Sequence, residues 1–352
     1  MLSPLLKWDA SAGPELDRGI EGLLRCARSM RRGRIDSRSA VDSSGGPSGY
    51  AAEMVTHPRT RPPLDDVRRL PDAVSSVEYP DVPAFEEADL ASGIQTIWYG
   101  GLPLDFQVIK GTRPVLVVVF DGALVREKTQ LPRFSGGGVT NGLGVSRLSF
   151  SDPSLYLSDR LRLAWYAGSA LQPELQTMIV RVVRKVVDSL SPERVVFFGA
   201  SGGGFAALLA SSHFADSLAV VVNPQTSIGA YVPRHVQSWL DAAWEGRRLE
   251  SLPHTVTSDL IRRYSSITMR NYVAYAQNRT DSHVNAHMEP WIAVADPSRI
   301  QTRWGSWGEG HVGPPKETIT EMLAAAADWT PGATLTDFCR GAESPPAPRA
   351  DK

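Results

Sequence analysis

The chain contains little cysteine, no long apolar run and almost no net charge. Its only cysteines, Cys26 and Cys339, lie near opposite ends and match no metal-binding spacing, and such scarcity is typical of a reducing compartment. The net charge of −1 gives no reason to expect nucleic acid as a partner. Apolar runs such as Val115–Phe120 are far too short to span a membrane. We therefore expect a cytoplasmic protein without a membrane span, and its oligomeric state stays open.

The 352 residues are 42% hydrophobic and 21% charged, which is typical of a globular protein with a sizeable core. Residues 1–75 differ from the rest because much of this stretch is rich in Arg, Ser, Gly and Pro. We predict that they form a mobile N-terminal arm, with a possible short helix over 15–30. Residues 76–340 are predicted to form the folded domain, and 341–352 a disordered tail.

Apolar strands alternate with helical segments along the domain. Ile94–Tyr99 and Leu104–Ile109 flank Gly100-Gly101 and predict a hairpin. Val115–Phe120 is an unbroken apolar run, as expected for a strand buried on both faces. The recurring order of strand, helix and strand predicts a mostly parallel central sheet flanked by helices. Residues 225–268 contain helical pieces but no convincing strand, so we expect a helical cap there.

The most informative stretch runs from Arg194 to Leu209. An apolar strand gives way to Gly199-Ala200-Ser201-Gly202-Gly203-Gly204, and a small-residue helix follows. Gly-x-Ser-x-Gly between a strand and a helix is the nucleophile elbow, which lifts one serine hydroxyl above the sheet edge. A serine hydroxyl needs a base to remove its proton, so a histidine and an orienting acid are expected elsewhere in the chain.

Asp281 and His311 each follow a later predicted strand, and they complete the chain order Ser, Asp, His. Ligands of open α/β sheets bind at the carboxyl ends of the strands, where all three residues are predicted to lie. Asp281 also fits the cap of the helix predicted over 283–295. Asp152 is a rival acid, although Asp152-Pro153 is also typical of a turn. The sequence leaves the choice between these two acids open.

Over Ile94–Trp329 the chain resembles serine hydrolases of the α/β-hydrolase superfamily. The resemblance rests on the elbow, on the order of Asp281 and His311, and on the loop Gly308-Glu309-Gly310-His311. It implies the α/β-hydrolase fold, with the cap following the strand after the elbow. More narrowly, the chain resembles hydrolase-like proteins of bacterial surface-glycan biosynthesis. This second resemblance rests on Ser149-Phe150-Ser151-Asp152-Pro153, Ala164-Trp165-Tyr166 and Asn223-Pro224-Gln225-Thr226.

In this chemistry the serine attacks a carbonyl, the histidine carries its proton, and the acid fixes the imidazole tautomer. The oxyanion needs two backbone donors, one of them from the residue after the serine. Asp121 stands where family members commonly carry histidine, and a carboxylate there opposes an oxyanion unless it points away or is paired. The predicted site residues are Ser201, His311 and Asp281 for catalysis, Gly202, Gly122 and Ala123 for the oxyanion hole, and His283 and Asp152 for substrate binding.

Two other interpretations of these motifs are disfavoured. The glycine turn resembles the dinucleotide turn of short-chain dehydrogenases, but Phe205 replaces its last glycine. That family's Tyr-x-x-x-Lys pair is also absent, since the only lysines after the turn are Lys316 and Lys352 and neither has the tyrosine. His283 and His287 have helical i, i+4 spacing but lack a third ligand at a recognisable spacing. No metal and no cofactor are therefore predicted.

The sequence thus predicts a serine hydrolase or acyltransferase that forms an acyl-serine on an ester, either an acylated glycan or a small ester. The alternative is a non-catalytic hydrolase-like protein that binds a partner or a glycan in a glycan or secondary-metabolite pathway. The two differ in geometry, because only the enzyme requires Ser201, His311 and an acid within hydrogen-bonding distance.

Overall fold

A nine-stranded sheet forms the centre of the protein in a computed structural model, which describes residues 62–346. The arm up to residue 61, with its possible helix, and the tail from residue 347 lie outside the described residues. In chain order the strands are Ser76–Tyr79 (β1), Gly93–Tyr99 (β2), Leu102–Ile109 (β3), Val115–Phe120 (β4), Ser146–Phe150 (β5), Arg194–Ala200 (β6), Leu218–Val222 (β7), Tyr272–Asn278 (β8) and Ile300–Gly305 (β9).

The strand order across the sheet is β1-β2-β3-β5-β4-β6-β7-β8-β9. β3 runs antiparallel to both of its neighbours, β2 and β5, and every other pairing in the sheet is parallel. The hairpin between β2 and β3 turns at Gly100 (φ 58°) and Gly101 (φ 73°), a left-handed pair that glycine adopts without steric cost. The predicted mostly parallel sheet is confirmed.

Helices cover both faces of the sheet. They are Leu64–Val67 (α1), Val82–Glu87 (α2), Gly137–Thr140 (α3), Leu175–Leu190 (α4), Gly202–Ser211 (α5), Pro233–Ala243 (α6), Leu260–Ser266 (α7), Glu289–Ile292 (α8) and Lys316–Asp328 (α9). The helix predicted over 283–295 is a π-helical turn, Val284–Met288, followed by α8. The segment between β7 and β8 contains α6 and α7 and no strand, as predicted for the cap.

The core has two layers because successive side chains of a strand point to opposite faces. On β4, Leu116 and Val118 join the larger cluster, which includes residues of α4, α5 and the cap. Val117 and Val119 face the other cluster, which is covered mainly by α9. This alternation explains the unbroken apolar sequence of β4, since both faces of the strand are dry.

Packing against the sheet begins before residue 76. The guanidinium of Arg68 forms an ion pair at 2.8 Å with Asp105, a fully buried residue of β3. The hydroxyl of Tyr156 donates to the same carboxylate at 2.7 Å. Residues 64–68 are therefore tied to the domain, although the sequence assigned them to the arm.

Within residues 62–346, no helix is both long enough and apolar enough to cross a membrane.

Candidate active site

Ser201 occupies the sharp turn between β6 and α5. Its backbone has φ 54° and ψ −120°, a left-handed conformation that costs energy for a residue with a side chain. The surrounding backbone holds it there: the Ser201 N–H donates to Val222 O at 2.9 Å, and the Ser201 carbonyl accepts from the N–H of Gly204 and of Gln225. The turn places the serine hydroxyl at the carboxyl end of the sheet.

The glycines of the elbow are required by close backbone contacts. A Cβ on Gly199 would lie 2.1 Å from Gly203 O, and one on Gly203 would lie 2.4 Å from Phe120 O. A Cβ on Gly204 would approach Pro224 Cβ to 2.6 Å. Real Cβ atoms do not approach this closely, so the pattern in the sequence reflects the packing of α5 against β4 and β6.

His311 and Asp281 meet Ser201 at this edge of the sheet. His311 Nε2 lies 3.0 Å from Ser201 Oγ, and His311 Nδ1 lies 2.6 Å from Asp281 Oδ2. Burial opposes ionisation of Asp281. Hydrogen bonds from His311 and from the backbone N–H of His283 outweigh that cost and hold the pKa of Asp281 below its usual range. The three side chains therefore form one hydrogen-bonded chain that ends in an ionised carboxylate.

The loop that carries His311 is held by side chains at the end of β8. The amide of Asn278 donates to the carbonyls of Gly308 (2.8 Å) and Gly310 (2.7 Å). Thr280 Oγ1 also donates to Gly308 O and accepts from the Gly310 N–H. These contacts fix the loop's backbone directly before His311.

The predicted oxyanion-hole residues lie around Ser201. The Gly202 N–H opens α5 and has no partner four residues earlier in the helix. A Cβ on Gly122 would lie 3.6 Å from Ser201 Cβ, so the loop after β4 reaches the serine. Ala123 is the next residue of this loop and is exposed. Within residues 62–346, the N–H groups of Gly122 and Ala123 donate no hydrogen bond.

Asp121, the unexpected acid of this loop, is more easily protonated than an ordinary aspartate because of its surroundings. Its Oδ2 is buried and has no hydrogen-bond partner among the described residues. Burial raises the pKa of Asp121 to about 6, although Ser135 and Arg133 act in the opposite direction. A carboxyl group that is readily protonated opposes an oxyanion less than an ordinary aspartate does.

Asp152 contacts neither Ser201 nor His311. Its carboxylate accepts the backbone N–H of Ser154 at 3.0 Å and of Tyr166 at 2.7 Å, and the residue is buried. The acid bonded to His311 is Asp281, and the sequence had left that choice open. Substrate binding by Asp152 stays a prediction that its surroundings do not favour, because its two oxygens already accept backbone N–H groups of the protein itself.

His283 is buried beside His311 rather than exposed at the edge of the site. The centroids of these two rings are 4.1 Å apart, and the ring of His287 follows 4.5 Å behind His283. Burial and the neighbouring histidines lower the pKa of His283 and bring that of His287 to about 3, so both rings are harder to protonate than an ordinary histidine. Contact of His283 with a substrate remains a prediction that its burial does not favour.

The same side chains have the composition of a metal site. One ligand atom each of Asp281, His283 and His311 lies within 4.8 Å of the others. However, Asp281 and His311 already share a hydrogen bond of 2.6 Å, and an ion between them would have to break it. The arrangement suits proton transfer better than coordination.

Sequence reasoning missed one side chain at Ser201. The amide Nε2 of Gln225 lies 3.1 Å from Ser201 Oγ. The motif around Gln225 supported the family resemblance, but it assigned no role to this residue. The available signal was position, because Gln225 is a polar residue three positions after the carboxyl end of β7, the strand beside the elbow.

Comparison with known proteins rests on structure, because no family model and no curated protein matches the chain. The fold is similar to that of a capsule O-acetyltransferase of Neisseria meningitidis serogroup A, solved as a mutant in complex with CoA. The two share 17% identity over 65% of this chain and 95% of the other, with a TM-score of 0.51.

Two hydrolases also match structurally. An S-formylglutathione hydrolase from Agrobacterium tumefaciens has 12% identity over 69% of this chain and 97% of its own, with a TM-score of 0.43. A hormone-sensitive lipase from a metagenome library has 12% identity over 67% and 80%, with a TM-score of 0.41. At these identities the similarity concerns the fold alone. The sheet topology, with the serine turn between β6 and α5, is that of the α/β-hydrolase fold.

Proposed function

We propose that the protein is an ester-acting serine enzyme with Ser201 as nucleophile, His311 as general base and acid, and Asp281 as the orienting acid. The observation that supports this proposal is the unbroken chain from Ser201 Oγ through both imidazole nitrogens of His311 to Asp281, with spacings of 3.0 and 2.6 Å. This is the distance at which a base removes a serine proton.

The ionised Asp281 assigns the tautomer of His311. A carboxylate only accepts hydrogen bonds, so Nδ1 carries the proton and the lone pair of Nε2 faces Ser201. His311 then takes the hydroxyl proton as Oγ bonds to the ester carbonyl carbon. The carbonyl electrons move onto oxygen, where the N–H groups of Gly202 and of the 122–123 loop are the candidate donors. His311 passes the proton to the departing alkoxide, leaving an acyl-serine.

The fate of the acyl group depends on what reaches His311. Its side chain is 38% exposed, so water has access to the base, and we propose ester hydrolysis as the default reaction. Acyl transfer follows the same steps when a bound hydroxyl takes the place of water. Acylated glycans and small esters are the two substrate classes to test first.

A fluorophosphonate probe, with the labelled residue located by mass spectrometry, tests the proposal. We expect labelling at Ser201, none in Ser201→Ala, and a rate at least 10³-fold lower in His311→Ala. Failure of the folded wild-type protein to react would refute the proposal and support the non-catalytic alternative.

The two acids provide an internal comparison. Asp281→Asn should slow labelling by about 10²- to 10⁴-fold, because an amide in place of the carboxylate favours the wrong imidazole tautomer. Asp152→Asn should lower the melting temperature while changing the labelling rate of the folded protein far less. The reverse result would make Asp152 the acid of the site.

A further inference from the structure

Ser201 has a second side-chain partner besides His311. Gln225 donates from Nε2 to Ser201 Oγ at 3.1 Å, and its backbone N–H donates to the Ser201 carbonyl at 3.0 Å. The residue has no exposed surface. A buried amide that is bound at two points to the serine keeps a fixed position relative to the hydroxyl.

The orientation of this amide is set by Trp165. The indole Nε1–H of Trp165 donates to Oε1 of Gln225. An indole nitrogen is only a donor, so the atom facing Trp165 must be the amide oxygen and the atom facing Ser201 must be the NH₂ group. Trp165 is itself fully buried, and Asp152 accepts the N–H of the next residue, Tyr166. The donor is therefore preorganised toward the serine oxygen.

We propose that Gln225 is a further catalytic residue of this site, an inference that rests on the function proposed above. When the O–H bond of Ser201 breaks and its proton moves to His311 Nε2, the electron pair stays on Oγ and forms the bond to the carbonyl carbon. The amide of Gln225 stabilises the negative charge that develops on Oγ. It acts again in deacylation, when the bond from carbon to Oγ breaks and Oγ regains its proton from His311.

A glutamine with a packing role looks different in the same protein. Gln172 is equally buried, and its Nε2 donates to the backbone carbonyls of Tyr99 and Leu102. Both acceptors lie in the β2–β3 hairpin, so these hydrogen bonds tie the hairpin to the loop that contains Gln172. Neither bond contacts Ser201, Asp281 or His311. The donor of Gln225 differs because it faces the hydroxyl oxygen of the proposed nucleophile.

Two substitutions of Gln225 distinguish the contribution of its hydrogen-bond donor from the contribution of its side-chain volume. In Gln225→Leu both amide contacts are lost. In Gln225→Glu the volume and an acceptor for Trp165 are kept, while the NH₂ donor to Ser201 is replaced by a carboxylate oxygen that carries negative charge. We expect both variants to react with the fluorophosphonate about tenfold to a hundredfold more slowly than the wild type, at equal folded fraction by circular dichroism.

Gln172→Leu is the matched control, because it removes an equally buried glutamine whose amide donates to Tyr99 and Leu102 instead of Ser201. We expect it to lower the melting temperature and to leave the labelling rate of the folded protein unchanged. Wild-type labelling by Gln225→Glu would overturn the inference, since it would show that volume and the Trp165 contact are sufficient. Should Gln225→Leu fail to fold, the near-isosteric Glu variant decides alone.

Trp165→Phe tests the preorganisation in a double-mutant cycle. Alone it should slow labelling by a few fold, because the amide is then free to turn. In the Gln225→Leu background it should add nothing, since no donor remains to be oriented. Additive effects would mean that Trp165 acts independently and would contradict the proposed chain of contacts.

Absence of labelling in the wild type would refute the serine enzyme and this inference together, whereas unchanged rates in the Gln225 variants would refute the inference alone.

Discussion

The two halves of the candidate site are built in different ways. Ser201 is positioned by close packing, with glycine backbones in van der Waals contact and a left-handed turn between β6 and α5. His311 is positioned by hydrogen bonds, through side-chain amides and a hydroxyl that hold the carbonyls of an exposed loop. The first half depends on the absence of side-chain atoms, and the second depends on hydrogen-bond donors.

Because of this difference, we expect substitutions near Ser201 to change mainly the stability of the fold and substitutions near His311 to change mainly the activity. Packing contacts around Ser201 belong to the core, so a change there acts on the whole fold. Contacts around His311 lie at the edge of the sheet, where a lost hydrogen bond moves one side chain and leaves the core intact. Substitutions in the two halves should therefore be detected by different measurements.

The largest expected difference between the two halves is in the free energy of unfolding, after one glycine in each half is replaced by alanine. Gly203→Ala forces a Cβ to within 2.4 Å of Phe120 O, and we expect it to lower the free energy of unfolding by about 3 kcal/mol or more. Gly313→Ala, in the loop after His311, meets only Val222 Cγ1 at 3.5 Å and should change it by less than about 0.5 kcal/mol. Denaturant unfolding measures both, and equal losses would remove the contrast between the halves.

The next largest expected effect is on the labelling rate, and it compares substitutions of two asparagines, one at each end of β8. Asn278→Ala releases the carbonyls of Gly308 and Gly310, so we expect fluorophosphonate labelling about tenfold to a hundredfold slower. Asn271→Ala, at the other end, removes donors to Ser211 Oγ and Tyr264 OH. It should cost stability at an unchanged labelling rate of the folded fraction. If both variants label at equal rates, Asn278 does not position His311.

The smallest effect is a pH dependence of opposite sign in the two halves. The pKa of Asp121 is raised to about 6 by burial, so its contribution to stability is present below about pH 4 and is lost as the pH rises through 6. Asp121→Asn should therefore raise the free energy of unfolding by about 1–2 kcal/mol at pH 8 and leave it unchanged at pH 4.

Asp281 provides the opposite case. Its pKa is lowered in the folded protein, so its contribution is present above about pH 4 and is lost as the pH falls further. Asp281→Asn should destabilise the protein at pH 7, with a penalty that shrinks in acid. Thermal melts from pH 8 down to below about pH 4 compare the two variants, and a shift of the same sign in both would contradict the assigned environments.

Local patterns allowed the sequence to predict most of the sheet and the arrangement of Ser201, Asp281 and His311. Apolar runs such as β4 and the glycine turn are contiguous in the chain, and the strand ends bring the later residues to the same edge. β1 was not predicted, because Ser76–Tyr79 is short and mostly polar, and it pairs only with β2.

Long-range contacts were beyond the sequence. The partners of Asp152 and the contact of Gln225 with Ser201 depend on how turns from distant parts of the chain meet. The separation of 60 residues between Trp165 and Gln225 illustrates this. No periodicity or spacing encodes such a contact.

The loop before His311 is bound to the rest of the protein through its main chain. From Gly308 to Val312, the partners of Asn278, Thr280 and Asn223 are backbone atoms, while the side chains of Glu309 and Val312 are exposed. Sequence change at those two positions therefore leaves the anchoring intact and alters the surface that an incoming molecule meets. Selection can diversify what binds there without rebuilding the site.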